Sequence, residues 1–163
     1  MGTAVRAPRR PELSVARRLV AAGATLAVAE SITGGLLAHR LTNVPGSADW
    51  FVEGCVTYTN AAKTRRLGVP AAALRRHGAV SGETAAAMAA GVRKRAGTGY
   101  GLATTGVAGP DPLEGRPVGT VYVAVAAGRG RPTVRRFRFT GSRLQIKRRA
   151  ARAALLELLG RLS

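Results

Sequence analysis

The sequence predicts one α/β domain built around a mixed β-sheet, and three observations support this class. Short apolar segments typical of strands alternate with amphipathic segments through the first two thirds of the chain, as they do in sheets with parallel strands. Two longer segments of alternating polarity, 118–127 and 133–139, are separated by turn-forming residues and predict an antiparallel hairpin. A chain of 163 residues without an internal repeat is expected to fold around a single core.

Helices are predicted where apolar residues recur every three to four positions between start and stop signals. The segments that meet these criteria are 11–22, 36–41, 61–67, 71–76, 82–96 and 143–162. The apolar stripe of the first helix consists of Leu13, Ala16, Leu19 and Val20. The predicted N-caps are Thr33, Asn60 and Ser81, and the glycines predicted to follow helix ends are Gly23, Gly68 and Gly97.

Strands are predicted for segments rich in β-branched, aromatic or alternating residues. They are 25–29, 50–58, 102–105, 118–127 and 133–139. The first strand is apolar on both faces, which indicates that helices cover both sides of the sheet. The cluster of turn formers at 43–47 predicts a loop. Residues 1–10, with arginines and a proline, predict a disordered basic arm.

The composition narrows the class of protein. Cys55 is the single cysteine, so no internal disulfide forms, and we expect its thiol to be buried in a reducing compartment. His39 and His77 come without a cysteine pair, and the sequence therefore predicts no metal site. No apolar run reaches the roughly 18 residues of a membrane span, and the first ten residues lack the apolar stretch of a signal peptide. We therefore expect a cytoplasmic protein without a membrane partner.

The net charge of +18 comes from 26 basic and 8 acidic residues, which favours polyanionic partners. The arginines are scattered along the chain, and aromatic residues do not interleave with them as they do in proteins that bind single-stranded nucleic acid. We therefore expect at most weak, non-specific nucleic-acid binding.

The segment 29–35, which joins the first strand to the second helix, is the first candidate for a functional site. It places Ser31 after a strand and beside a helix N-terminus, where unpaired N–H groups favour a phosphate or an oxyanion. Gly34 and Gly35 allow a ligand to approach the backbone closely. An ordinary capped turn would explain the same residues. A second glycine-rich loop, 105–111, follows the third strand, and two loops at strand ends predict one shared site.

Lys63 is predicted at the third position of a helix, where the helix dipole disfavours a cation. This misfit indicates a functional lysine, although a solvated surface lysine is the alternative. Tyr58 is predicted to end the second strand, where its hydroxyl would relay a proton or orient Lys63, unless it is an ordinary strand tyrosine. Ser47 is a reserve nucleophile that would otherwise cap the next turn. Glu30 is expected either to orient Lys63 or to cap the helix.

Five segments resemble the CinA C-terminal family. In chain order they are AESITGG, VPGSADWFVEGCVTYTNAAKTRRLGV, HGAVSGET, TTGVAGPD and RPVGTVYVAV. The resemblance extends over residues 11 to 162 and includes the spacing between the segments. It implies a three-layer α/β/α domain over residues 11–163.

Stand-alone members of this family act as nicotinamide-nucleotide amidases. The resemblance therefore implies hydrolysis of nicotinamide mononucleotide to nicotinate mononucleotide and ammonia, without a metal or another cofactor. The family's catalytic serine, tyrosine and lysine fall on Ser31, Tyr58 and Lys63. Thr105 and Gly106 match its second active-site loop. Analogy with the family also implies a homodimer.

The remaining predicted site residues concern the substrate. The phosphate is expected to bind Thr33, Gly34 and Gly35, or Arg143, and Thr105 and Gly106 to bind the oxyanion, with these two assignments exchangeable. Glu30, Ser47 and Asn60 complete the predicted substrate-binding set. The chain departs from the family pattern at Ser142, where an acidic residue is usual, and at Pro112-Leu113, where two glycines are usual.

Two other functions remain open at the level of sequence. The charge of +18 is compatible with a regulatory or nucleic-acid-binding module that has kept the fold and lost turnover. The altered loop at Pro112-Leu113 is compatible with an amidase that acts on a different small amide.

Overall fold

A computed structural model describes residues 7–162, and residues 1–6 of the predicted basic arm lie outside this range. The helices are α1 (Pro11–Ala21), α2 (Leu36–Thr42), α3 (Asn60–Leu67), α4 (Ala71–His77), α5 (Gly82–Ala96) and α6 (Arg143–Leu159). The strands are β1 (Leu26–Glu30), β2 (Phe51–Val56), β3 (Tyr100–Gly106), β4 (Thr120–Ala127) and β5 (Thr133–Arg138). A 3-10 turn, Ser47–Asp49, precedes β2.

The five strands form one sheet in the order β2-β1-β3-β4-β5. β1 runs parallel to both of its neighbours, whereas β4 pairs antiparallel with β3 and with β5. The predicted mixed sheet and its hairpin are therefore confirmed. Because β2, β1 and β3 are parallel, the loops that follow them all leave from the same edge of the sheet.

Helices cover both faces of the sheet. One face packs against α1, α2 and α6 in a core that includes Leu19, Leu37 and Ile146. The other packs against α3, α4 and α5 in a smaller core that includes Leu67 and Met88. β1 is buried along its whole length, as a strand between two helical layers must be. The three-layer α/β/α architecture is thus confirmed.

Helix α5 follows its sequence signals closely. Ser81 accepts a hydrogen bond from the N–H of Thr84, and Gly97 ends the helix in the left-handed conformation. Its alanine-rich face lies directly on β3, where a Cβ on Gly101 would collide with the carbonyl of Ala89. The small residues therefore set the close approach of helix and sheet.

Several local predictions are wrong. Thr33 does not cap α2, because its hydroxyl is buried against the hydroxyl of Thr104 at 2.8 Å. Asn60 does not cap α3, because the preceding Thr59 is extended and accepts the N–H of Ala62. Val20 lies on the outer side of α1 and is 60% exposed.

Two further differences concern β2. The strand ends at Val56, so Tyr58 lies in the connection to α3. β2 is an edge strand whose residues are at most half-buried, which leaves Cys55 partly exposed. Burial and the nearby Glu53 raise the pKa of its thiol.

Within residues 7–162, none of the helices has the length and apolar character that a bilayer span requires.

Candidate active site

Ser31 follows β1 directly and is only 8% exposed. Its N–H donates to the carbonyl of Thr104 at 3.0 Å, and its own carbonyl accepts the N–H of Gly34 at 3.2 Å. The first bond extends the pairing of β1 with β3 by one residue, the second closes the turn after β1, and together they fix the backbone at the serine. The hydroxyl is therefore presented from a rigid strand end.

Glu30, the last residue of β1, caps α2. Its fully buried carboxylate accepts hydrogen bonds from the N–H groups of Gly35, Leu37 and Ala38 at 3.0, 2.9 and 2.8 Å. A carboxylate at this position satisfies N–H donors that a helix start leaves unpaired. Of the two roles that the sequence allows for Glu30, the structure thus assigns helix capping.

This cap occupies the donors that were expected to bind phosphate. The N–H groups of Gly35, Leu37 and Ala38 are taken by Glu30, and Thr33 is fully buried. A Cβ at Gly34 would contact the amino group of Lys147. Thr33, Gly34 and Gly35 shape the turn after Ser31 and do not line the pocket described below.

Lys63 lies on the first turn of α3 and is 1% exposed. Its Nζ donates to Ser31 Oγ at 3.2 Å, to the carbonyl of Thr57 at 2.8 Å and to the carbonyl of Tyr58 at 3.4 Å. Helical side chains lean toward the N-terminus of their helix, and this direction carries the amine back to the strand ends. The structure therefore brings together the serine and the lysine that the sequence singles out.

Burial is the main cause of the shifted pKa of Lys63. Loss of hydration lowers the pKa of its ammonium from 10.5 to about 8, and the negative charge of Glu114 acts in the opposite direction. The low-dielectric surroundings disfavour the charged form, as is usual for buried lysines. Like-charge repulsion, which the basic composition suggested, makes no resolved contribution.

The serine and the lysine open into a pocket of about 330 Å³ at the edge of the sheet where the parallel strands end. Its walls come from the four connections β1–α2, β2–α3, α4–α5 and β3–β4, together with Lys63 of α3 and the start of α6. The lining residues used below are Ser31, Ile32, Tyr58, Lys63, Ala79, Val80, Thr105, Gly106, Gly109, Pro112, Leu113 and Arg143. Ser31 and Ile32 of the first predicted loop and residues 105–111 of the second line this one cavity.

The second glycine-rich loop, 105–111, shapes the pocket through close packing as well as through polar contacts. Thr105 is buried, and its hydroxyl donates to the carbonyl of Ala79 at 2.7 Å. A Cβ at Gly106 would collide with the carbonyl of Thr120 and with the side chain of Ile32. Glycine is therefore required at 106 by the close approach of its neighbours.

Arg143 and Tyr58 meet at the pocket. The guanidinium of Arg143 donates to the hydroxyl of Tyr58 at 2.9 Å and to the carbonyl of Gly109 at 2.6 Å. The Tyr58 side chain is 58% exposed, and it is the backbone carbonyl of Tyr58, not its hydroxyl, that contacts Lys63. The side chain thus orients the arginine.

Ser47 and Asn60 lie away from this pocket. Ser47 precedes β2, whereas Ser31 follows the parallel strand β1, so the two serines lie at opposite edges of the sheet. Asn60 is exposed at the start of α3 and lines a separate surface groove.

Sequence reasoning missed the groups that hold Lys63 and one wall of the pocket. The carbonyls of Thr57 and Tyr58 fix the amine of Lys63, and Glu114 binds the backbone of Ala79 and Val80. Every residue has a backbone carbonyl, so no sequence signal marked the carbonyls of Thr57 and Tyr58.

In the described part of the chain, no cluster of three or more His, Cys, Asp or Glu side chains could hold a metal ion.

Comparison with known proteins identifies the family of the chain. A family model described as the CinA C-terminal domain matches residues 9–162. A putative competence-damage inducible protein of Desulforamulus reducens is 50% identical over 144 residues, which are 88% of this chain and 35% of that protein. A CinA-like protein of Frankia casuarinae is 56% identical over 137 residues, which are 84% of this chain and 31% of that protein. The chain spans about a third of the length of these relatives.

Solved structures give the same result. A CinA superfamily protein from Klebsiella pneumoniae superposes with a TM-score of 0.90 at 38% identity, covering 93% of this chain and 95% of that chain. One from Escherichia coli gives a TM-score of 0.91 at 34% identity, covering 99% and 94%. Because the family model covers residues 9–162 and the relatives are at least 50% identical over more than four fifths of the chain, the chain belongs to the CinA C-terminal domain family.

Proposed function

We propose that this domain is an amidase that hydrolyses nicotinamide mononucleotide to nicotinate mononucleotide and ammonia, using Ser31 as nucleophile and Lys63 as base. The observation that carries the proposal is the 3.2 Å contact between Lys63 Nζ and Ser31 Oγ, both in buried residues beside a pocket. A buried amine next to a hydroxyl is the arrangement that activates a serine without a histidine.

The partners of Lys63 orient its lone pair. A neutral amine has two N–H bonds, and the carbonyls of Thr57 and Tyr58 are placed to accept both. The lone pair is then directed at the Ser31 hydroxyl and can accept its proton. The same two carbonyls hold the ammonium after the transfer, so the amine need not move during the reaction.

The lowered pKa of Lys63, about 8, makes the neutral form available at physiological pH. Roughly 10% of the lysine is then neutral at pH 7, against roughly 0.03% at a pKa of 10.5. The gain of about 300-fold in active base is the contribution that burial makes to the proposed reaction.

The steps balance with no other reactant than water. Ser31 Oγ attacks the carboxamide carbon while its proton passes to Lys63 Nζ. Collapse of the tetrahedral intermediate breaks the C–N bond, and the Lys63 ammonium returns the proton to the leaving nitrogen, which departs as ammonia. Water then attacks the ester on Ser31 with Lys63 again as base, and the nicotinate product and free serine result.

The oxyanion of the intermediate requires an N–H donor. The hydroxyl hydrogen of Thr105 is occupied by the carbonyl of Ala79. The N–H of Ile32, next to Ser31 in the chain and on the pocket wall, has no acceptor among the described residues. We therefore assign oxyanion binding to Ile32, with Gly106 as the neighbouring wall.

Arg143 is the proposed phosphate ligand. Two of its contacts, to Tyr58 and Gly109, fix its orientation, while a guanidinium has five N–H donors. The remaining donors can bind an anion at the pocket, and planar guanidinium groups suit phosphate oxygens. The charge of +18 further favours an anionic substrate.

The test is release of ammonia from nicotinamide mononucleotide by purified protein treated with a chelator. We expect turnover, a higher KM for nicotinamide riboside, which lacks the phosphate, and a similar rise in KM for Arg143→Ala. Arg148→Ala, on an exposed part of the same helix, is the matched control and should leave KM unchanged. Turnover of other small amides in preference to the nucleotide would favour the alternative suggested by Pro112-Leu113.

Ser31→Ala should remain folded, bind nucleotide in a calorimeter and lose turnover by at least about a thousandfold, because the nucleophile is missing. Ser47→Ala should keep its activity because Ser47 lies at the other edge of the sheet. An active Ser31→Ala together with an inactive Ser47→Ala would reject the proposed nucleophile.

A non-catalytic polyanion-binding module is the second candidate function. A surface groove between α3 and α5 is lined by Arg65, Arg66, Lys94 and Arg95 and by no acidic residue. Protein that binds nucleic acid but releases no ammonia from the nucleotide would favour this candidate.

A cytoplasmic location and a homodimer remain predictions.

A further inference from the structure

Glu114 lies in the loop between β3 and β4 and binds backbone from another part of the chain. Its carboxylate accepts the N–H of Ala79 at 3.1 Å and the N–H of Val80 at 3.0 Å. Among the described residues it is the one non-glycine with positive φ, at 51°. A side chain other than glycine rarely adopts this conformation unless tertiary contacts hold it there.

The partner segment is adapted to receive this carboxylate. Gly78 has a φ of 79°, and a Cβ at this position would collide with the Glu114 carboxylate. Glycine at 78 therefore provides both the backbone conformation and the space. Two successive N–H groups that point at one carboxylate form a small anion-binding nest.

This contact fixes a wall of the pocket. Ala79 and Val80 both line the cavity, and the carbonyl of Ala79 accepts the hydroxyl of Thr105. Glu114 also ends the stretch 109–113 that forms the outer wall, and Arg143 holds Gly109 at the start of that stretch. The loop is thus tied at both ends, by Arg143 and by Glu114.

We propose that Glu114 is a positioning residue of this active site, which anchors the 109–113 loop to the segment before α5. The inference rests on the proposed function, because the pocket that Glu114 shapes is the proposed substrate site. Its charge opposes the effect of burial on the pKa of Lys63. Removing that charge therefore makes Lys63 less basic.

The substitutions used in the test leave the other charged or titratable side chains around the pocket unaltered. They are Glu30 at the end of β1, Tyr58 before α3, Asp111 in the same loop as Glu114 and Arg143 on α6. A change in the titration of Lys63 in Glu114→Gln then comes either from the lost charge or from displacement of the loop that carries Asp111, and Glu114→Asp, which keeps the charge, separates the two causes.

The experiment compares wild type with Glu114→Gln, Glu114→Asp and the control Glu83→Gln. Glu83 lies in the first turn of α5, 3.7 Å from His77, and its side chain is 59% exposed. Its substitution removes one negative charge without touching the loop. Two readouts are taken between pH 6 and 10: kcat and KM for ammonia release, and the rate at which an amine-directed acylating reagent labels Lys63, quantified by peptide mass spectrometry.

For Glu114→Gln we expect kcat to fall about tenfold, since the amide retains only one acceptor for two N–H groups. The midpoint of the acid limb and of the Lys63 labelling curve should both move down by roughly half a pH unit, the size expected for one partly screened charge. Glu114→Asp keeps the charge and should restore the midpoint, and Glu83→Gln should match wild type.

An unchanged Lys63 labelling curve together with unchanged kcat and KM in Glu114→Gln would overturn the proposal. An equal shift in Glu83→Gln would overturn it as well, because net charge would then be the cause. The labelling curve needs no substrate. A wild-type protein that releases no ammonia therefore rejects the proposed function, while the labelling curves still decide the role of Glu114.

Discussion

Replacing Lys63 by methionine should change how the stability of the fold depends on pH. Methionine has a similar length and fills the same buried space, but it cannot bind a proton. The substitution also removes hydrogen bonds to the carbonyls of Thr57 and Tyr58, which adds an offset that does not vary with pH. The pH-dependent part of the difference between the two proteins therefore reports the ionisation of Lys63 alone.

The sign follows from the direction of the pKa shift. The pKa of Lys63 is about 8 in the folded protein and 10.5 without the effect of the fold, so between these values the unfolded chain binds more protons. The free energy of unfolding of wild type therefore rises with pH in this window. At 1.36 kcal/mol per pKa unit, the total rise is about 3 kcal/mol.

The assay is urea denaturation at pH values from 7 to 11, followed by tryptophan fluorescence. Trp50 is the only tryptophan in the chain and is 2% exposed, so unfolding changes its surroundings. Subtracting the variant's free energy of unfolding from that of wild type cancels the titration of all other groups. Lys94→Met, at an exposed position near the end of α5, is the control, and its difference should not vary with pH.

The expected difference is constant below about pH 7.5, rises by about 3 kcal/mol and levels off above about pH 10.5. A flat difference would mean that Lys63 titrates alike in the folded and the unfolded chain, and the proposed base would then be almost fully protonated at pH 7. That result would refute the argument that burial activates the lysine.

Three further outcomes are expected. Lys63→Arg should keep the positive charge and lose turnover by at least about a hundredfold at pH 7 to 9, since a guanidinium remains protonated; a change in KM alone would assign the lysine to binding. Glu30→Ala should lower the free energy of unfolding by about 2–4 kcal/mol in urea titrations, because three N–H groups lose a buried carboxylate, and a loss below about 0.5 kcal/mol would contradict the capping role. Nucleic acid should bind weakly in fluorescence polarisation and dissociate by roughly 0.3 M salt, because scattered arginines contact phosphates without reading bases; sequence-selective binding at higher salt would speak against this.

The order and type of the elements follow from sequence alone, because their signals are local. Periodicity and turn formers placed all six helices and the β4–β5 hairpin, and Ser81 and Gly97 marked both ends of α5. Local signals failed where two neighbouring residues compete for one role. Thr59 and Asn60 are both residue types that favour N-caps. After β2 the backbone is still extended at Thr59, so Thr59 becomes the N-cap and Asn60 the first residue of α3.

The site was predictable in its residues and not in its contacts. Ser31 stood out because it follows a strand beside a helix N-terminus, and Lys63 stood out because it falls in the first turn of a helix, where the dipole disfavours a cation. Their 3.2 Å contact exists because β1 lies beside β2 in the sheet, so that the loops after both strands leave the same edge. Strand order results from long-range pairing, which no local pattern specifies.

Sequence by itself determined the family, the elements and the candidate catalytic pair, since each of these depends on residue types in a fixed order. Only the tertiary structure decided that Glu30 caps a helix, that Tyr58 supports Lys63 through its carbonyl, and that Glu114 reaches the segment before α5. In all three cases one partner is a backbone group. Backbone groups are the same in every residue, so their partners are set by the fold in three dimensions.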